Sequence, residues 1–209
     1  QITKETNTLI TLYNKDCFAA IQNIKDNEFD LSIVDPPYGI SKNMKGSRQM
    51  GKQMKHKKWN EDIPSKKYFN ELFRISKNQI IWGANYYSNY LPPSRGWVVW
   101  DKKMTEKIGF SMNELAFTSF DTTPLTFYKY ADRKNRIHPC QKPVKLYEWL
   151  LIKFAKKGDK ILDTHLGSGS IAIACHNLGY DLTGYELDKD YFEAATKRLK
   201  QHQTQIRMF

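Results

Sequence analysis

The chain has 209 residues, a length that fits one domain and can bury roughly 70% of its unfolded surface, enough for a sizeable core. Thirty-three Lys and Arg against 22 Asp and Glu leave a formal charge of +11, which points to a polyanionic partner. Cys17, Cys140 and Cys175 have neither disulfide nor zinc-ligand spacing, and no signal peptide or apolar run of about 18 residues is visible, so a metal centre, secretion and membrane spanning are not expected and a reducing cytoplasm is.

Thr8 to Tyr13 predicts a strand, and Asp16 behind it predicts the cap of a helix over Cys17 to Ile24. Phe29 to Val34 predicts a short buried strand that two prolines stop abruptly, leaving the carboxylate of Asp35 at its mouth. Pro36 and Pro37 have fixed φ and no N–H, so the carbonyls around them are rigid acceptors without ladder partners. Tyr38 adds a flat ring beside them. A carboxylate, a rigid carbonyl and a ring together grip a planar heterocycle through an exocyclic amino group, which adenine and cytosine both have.

Residues 40–60 have no apolar periodicity and carry Lys42, Lys45, Arg48, Lys52, Lys55, Lys57 and Lys58 among Met44, Met50, Met54 and Trp59. This composition predicts a flexible lid that contacts phosphates. Ser65 then caps a helix through Tyr68, Phe69, Leu72, Phe73 and Ile75. Gln79 to Gly83 predicts a strand, and Ala84-Asn85-Tyr86-Tyr87 a polar and aromatic turn at its end. Trp82, Asn85 and Tyr86 are candidate pocket walls, with ordinary packing as the other reading.

Gly96 to Lys102 and Asn113 to Thr118 predict two further strands, while Leu125 to Tyr128 either adds a strand or lies over the sheet. A basic stretch follows with Arg133, Lys134 and Arg136. His138 to Pro143 opens a helix through Leu146, Trp149, Leu150 and Phe154. Gly158 to Asp163 predicts a strand, Thr164 to Ser170 a glycine turn and Ile171 to Leu178 a helix; Gly167 and Gly169 let backbone approach a ligand. His165 reads as a polar turn residue rather than a catalyst. Asp181 to Glu186 is the next strand, ending about twenty residues beyond the glycines on an acid able to accept both hydroxyls of a ribose. Against a nicotinamide dinucleotide, the third glycine of that fingerprint is missing. Asp188 caps a last helix, Tyr191 to Lys200.

Asp35-Pro36-Pro37-Tyr38 matches the acidic-Pro-Pro-aromatic signature of S-adenosylmethionine-dependent amino-group methyltransferases, and the chain resembles the bacterial and phage DNA N6-adenine methyltransferases. His138-Pro139-Cys140-Gln141-Lys142-Pro143 is similar to that family's His-Pro-x-Gln-Lys-Pro element beside the methionine end of the cofactor. The resemblance implies one Rossmann-like α/β domain over residues 1–209, its sheet seven-stranded and mostly parallel with one antiparallel strand. The amine-gripping turn precedes the glycine turn, so the motif order is circularly permuted, as in the class labelled beta. The catalytic half is then 8–119, a short basic recognition segment 120–137 and the cofactor half 138–202.

Asp35, Pro36, Pro37 and Tyr38 would be catalytic. Asp16, Cys17, Asp35, Lys142, Asp163, Gly167, Ser168, Gly169 and Glu186 would hold S-adenosylmethionine, with Asp16 on its adenine amino group and Lys142 or the nearby helix N-terminus on its carboxylate. The basic residues of 40–60 and 129–136 would bind double-stranded DNA. The family usually has Pro-Phe where Thr164-His165 stand, and its recognition insert is longer, which leaves room for a homodimer here. Cytosine N4 methylation, RNA or glutamine as substrate, and a non-catalytic DNA-binding module are the alternatives. Asp rather than Ser at position 35 favours adenine by resemblance.

Overall fold

A computed structural model describes residues 8–40, 61–104, 111–131 and 136–205. The expected lid and its seven basic residues, with Arg133 and Lys134, lie outside these segments.

Eight strands form one sheet: β1 (Ile10–Tyr13), β2 (Phe29–Val34), β3 (Ser76–Trp82), β4 (Trp97–Asp101), β5 (Asn113–Thr118), β6 (Leu125–Tyr128), β7 (Lys160–Asp163) and β8 (Asp181–Tyr185). Their spatial order is β1-β8-β7-β2-β3-β5-β4-β6. Only β5 is antiparallel to its neighbours, β3 and β4; the remaining pairings are parallel. The expectation of seven strands is corrected to eight, because Leu125–Tyr128 pairs with β4 from Val98 to Asp101 instead of lying over the sheet. Four residues alternating between exposed and half-buried are too few to announce an edge strand by pattern.

The central strands β2, β3 and β7 read as apolar runs because both faces of the sheet are covered. Alternation sends Ile33, Ile80, Trp82 and Ile161 to one face, and Val34, Ile81 and Leu162 to the other. The first face packs against α3 (Val144–Phe154), α4 (Ser170–Leu178) and α5 (Lys189–Thr204) through Leu146, Leu150, Ala172 and Leu199. The second packs against α1 (Cys17–Ile21) and α2 (Lys66–Ile75) through Ile21, Phe69 and Leu72.

Helix α1 stops at Ile21 rather than Ile24, since the Asn23 and Ile24 N–H groups bond to carbonyls three residues back and tighten the last turn. Helix α2 runs into β3 with no residue between them: Ser76 is already extended, and its hydroxyl donates to the Leu72 carbonyl at 2.6 Å. This joint fixes where β3 ends, and hence the turn after Trp82.

Phe69 is fully buried and touches Tyr68, Tyr87 and Tyr90 with ring centroids 5.0–5.8 Å apart. Replacing it with Ala removes that ring from a packed core and should cost about 3–5 kcal/mol, read as the drop in urea-unfolding free energy.

Candidate functional site

Parallel pairing brings the carboxyl ends of β1, β8, β7, β2 and β3 to one edge of the sheet, where ligands of open α/β folds collect. Asp35, Gly83, Asp163 and Glu186 all sit at or just beyond these ends. Because β5 is reversed, it delivers its beginning, not its end, to the same edge. Glu114, opposite Trp100 of β4, therefore reaches the Lys142 ammonium that also contacts Asp35.

Both carboxylate oxygens of Asp35 are engaged. Its Oδ1 accepts from the Tyr38 hydroxyl at 2.5 Å, and its Oδ2 accepts from Lys142. Lys142 Nζ also lies 3.0 Å from Glu114 Oε2 and 3.3 Å from the Tyr38 hydroxyl, which uses its three protons. The other Glu114 oxygen faces Lys102 at 2.7 Å. Trp82 lies beside this cluster, its ring 5.1 Å from the Lys142 ammonium.

These charges set one another's protonation. Burial alone would raise the Glu114 carboxyl, but Lys142 and Lys102 hold it down to about 2. Burial would likewise discharge Lys142, yet the carboxylates of Asp35 and Glu114 keep its affinity for the proton above the ordinary lysine range. Burial, with Glu114 adding repulsion, raises Asp35 above the usual carboxylate range against the pull of Lys142.

The turn after Asp35 is braced from the β3 side. The buried Tyr87 hydroxyl points at two carbonyls, Trp82 at 2.8 Å and Pro36 at 3.1 Å. Tyr86 stacks on Tyr38 at 5.0 Å, and Asn85 is exposed. Gly83 has φ +71°, and a Cβ there would sit 2.1 Å from the Tyr38 ring, so only glycine lets the ring lie against this turn.

Two strands away, Gly167 and Gly169 adopt left-handed conformations in the turn between β7 and α4. The Gly167 N–H donates to Glu186 Oε2 at 2.8 Å and the Asp188 N–H to Oε1 at 2.9 Å, which aims the carboxylate across the glycine turn. Arg198 of α5 donates to the Ser168 carbonyl at 2.8 Å and ties that turn down. Asp16 caps α1, accepting from the Phe18 N–H at 2.8 Å. Asn14 bonds the carbonyls of Glu186 and Leu187, joining the ends of β1 and β8.

Asp163 is buried, accepts from the His165 N–H at 2.9 Å, and is pushed by burial up to about 8. His165 lies in the turn after β7 and is half-buried. Its Nδ1 shares a hydrogen bond with Thr164 at 2.9 Å, Thr164 bonds Tyr68 at 2.6 Å, and Nε2 faces the Cys17 sulfur at 3.9 Å. Burial lowers His165 to about 4 and raises the Cys17 thiol to about 12.

The predicted residues thus fall into two groups on one edge. Asp35, Pro36, Tyr38 and Lys142 form one; Asp16, Cys17, Asp163, Gly167, Ser168, Gly169 and Glu186 form the other. Lys142, which the resemblance offers beside the helix N-terminus for a cofactor carboxylate, has its ammonium on Asp35 and Glu114. Arg136 is part-buried with its Nε unpartnered. Glu114, Lys102 and Tyr87 escape the sequence reading. The available signal was an acid at 114 in register with Ala116 and Thr118, on a strand face otherwise turned inward. Among the described residues, no group of three or more His, Cys, Asp or Glu is placed to hold a metal, and no helix is long and apolar enough to cross a membrane.

Residues 99–197 match the model of the DNA methylase family of N6 and N4 methyltransferases. The type II methyltransferase M.HpaI of Haemophilus parainfluenzae is 23% identical over 86% of this chain and 71% of its own length. The M1.HpyAVI–S-adenosylmethionine complex superposes with a TM-score of 0.62 at 22% identity, covering 91% of this chain and all of that one. The cytosine-N4-specific PvuII DNA methyltransferase superposes with a TM-score of 0.64 at 12% identity, over 97% and 88% of the two chains. The fold is the α/β methyltransferase fold.

The folded His165 takes up its proton at a lower pH than the unfolded one, about 4 against 6.5, so the unfolded chain binds more protons in between. Its contribution to stability is intact above pH 6.5 and is lost as the pH falls towards 4. Urea-unfolding free energies of wild type and His165→Phe, measured from pH 7.5 to 4.5, should show the shallower decline in the variant, by up to about 3 kcal/mol.

Proposed function

We propose that this chain is an S-adenosylmethionine-dependent DNA methyltransferase that methylates the N6 amino group of adenine. The observation that carries this reading is the half-buried Asp35 carboxylate beside the rigid Pro36 carbonyl, on the same sheet edge as the glycine turn and Glu186. The DNA methylase match over residues 99–197 and the charge of +11 support DNA as the substrate. Asp at position 35 favours adenine over cytosine by resemblance. We also read the order of the two halves as the permuted arrangement, which the pairing of β1 with β8 supports.

The residues present fit the cofactor. Glu186, aimed by two backbone N–H groups, has lone pairs left for a ribose; Gly167 and Gly169 keep the turn low; and Asp16 faces the same edge with a free oxygen for an exocyclic amine. When bound, S-adenosylmethionine supplies an electrophilic methyl group on its sulfonium.

The chain's own groups then act on the amine, a poor nucleophile because its lone pair is delocalised into the ring. Asp35 accepts one N–H, and the Pro36 carbonyl, which has a second lone pair beside the one facing Tyr87, accepts the other. Two fixed acceptors favour a pyramidal nitrogen and orient its lone pair, which is electrostatic preorganisation with positioning. Asp35 need not remove a proton before attack, since the amine becomes acidic only as its new bond forms. The target atom is inside a duplex, so the base must be flipped out at a cost of a few kcal/mol, and Tyr38 offers it a stacking surface.

Incubation with S-adenosylmethionine and unmethylated DNA, digestion to nucleosides and mass spectrometry should yield N6-methyladenine. Asp35→Ala should lower the rate by roughly 10²–10³. N4-methylcytosine would keep the mechanism and change the base.

A further inference from the structure

Asp35 faces a conflict that the proposed reaction must resolve. Its two oxygens are taken by Tyr38 and Lys142, yet the base needs one of them. Releasing Lys142 would strand an ammonium whose side chain is 2% exposed, and a buried charge without a partner is among the most unfavourable arrangements a protein can hold. Glu114 Oε2 lies 3.0 Å from the same ammonium and 3.3 Å from the Tyr38 hydroxyl, so it faces the cluster that Asp35 would leave. Lys102, 2.7 Å from its other oxygen, keeps Glu114 ionised whichever way Asp35 turns.

We propose that Glu114 is a positioning residue, the standing counterion that keeps Lys142 buried and charged while the Asp35 carboxylate turns from Lys142 to the amino group of the base. The catalytic part of this inference rests on the proposed function; the charge sharing does not. Lys142 has two carboxylates so that one can leave. Glu114 acts through Lys142 and touches neither base nor cofactor.

The test is a thermal-denaturation cycle on Asp35→Asn, Glu114→Gln and the double variant, with methylation kinetics alongside. Either single change leaves Lys142 one carboxylate, whereas the double change leaves none. The double variant should therefore melt below the sum of the single losses by on the order of 5 °C or more, and adding Lys142→Met should recover most of that excess. Additive losses, or no recovery with Lys142→Met, overturn the inference. If the double variant does not fold, the triple variant decides: a folded triple supports charge sharing and an unfolded one overturns it.

On unmethylated DNA, Glu114→Gln should lose on the order of tenfold or more in kcat with an unchanged KM for S-adenosylmethionine, and Glu114→Asp should regain part of it. An unchanged kcat overturns the positioning role. A wild-type protein that methylates no DNA defeats the proposed function instead, and the melting cycle still judges the charge sharing.

Discussion

An ammonium buried beside an aromatic ring is tolerated only where opposite charge meets it at contact distance, and the catalytic edge of this protein is built around that demand. Lys142 comes from the segment before α3, Asp35 from the end of β2, Glu114 from the reversed strand β5, and Lys102 from just beyond β4. Lys102 and Glu114 pair across the adjacent strands β4 and β5, but β2 and the segment before α3 must join them before Lys142 has both of its carboxylates. The two negative and two positive groups balance, so the cluster carries no net charge of its own where it closes over the buried Lys142.

The neighbouring half of the edge is organised differently. There, backbone N–H groups rather than side-chain cations aim the acid: Glu186 is oriented by Gly167 and Asp188, and Asp16 by Phe18. Backbone donors hold a carboxylate in place while leaving it acceptor capacity, which suits a group meant to take hydroxyl or amine protons from a ligand. Side-chain cations instead saturate the acid they meet. The contrast separates residues poised to bind from residues engaged with one another.

Much of this was legible in the chain. The apolar run into Asp35-Pro36-Pro37 announces both a buried strand and a carboxylate at its mouth, because proline cannot continue a ladder. The glycine turn and the acid after β8 are equally plain, since their spacing follows from backbone geometry. What stayed hidden depends on pairing between distant segments. Nothing local in Asn113–Thr118 says that this strand runs backwards, and only its reversal brings Glu114 to the edge. Tyr87 sits within a turn recognised as aromatic, but its bond to the Pro36 carbonyl joins residues that share no periodicity. The half-buried state of His165 is likewise a property of the Tyr68 and Cys17 elements packed over it.

The strand order also dictates a timetable. β1 and β2 are adjacent in the chain but stand apart in the sheet, with β8 and β7 filling the gap between them. On a ribosome, the first two strands emerge with facing edges unpaired and must wait for residues 160–185 before either edge closes. Such non-local parallel pairing is intrinsically slow and leaves apolar edges open in the meantime. The amine-gripping cluster waits for Lys142 and the glycine turn for residues 160–185, so a nascent chain carries its reactive carboxylate long before it has a site.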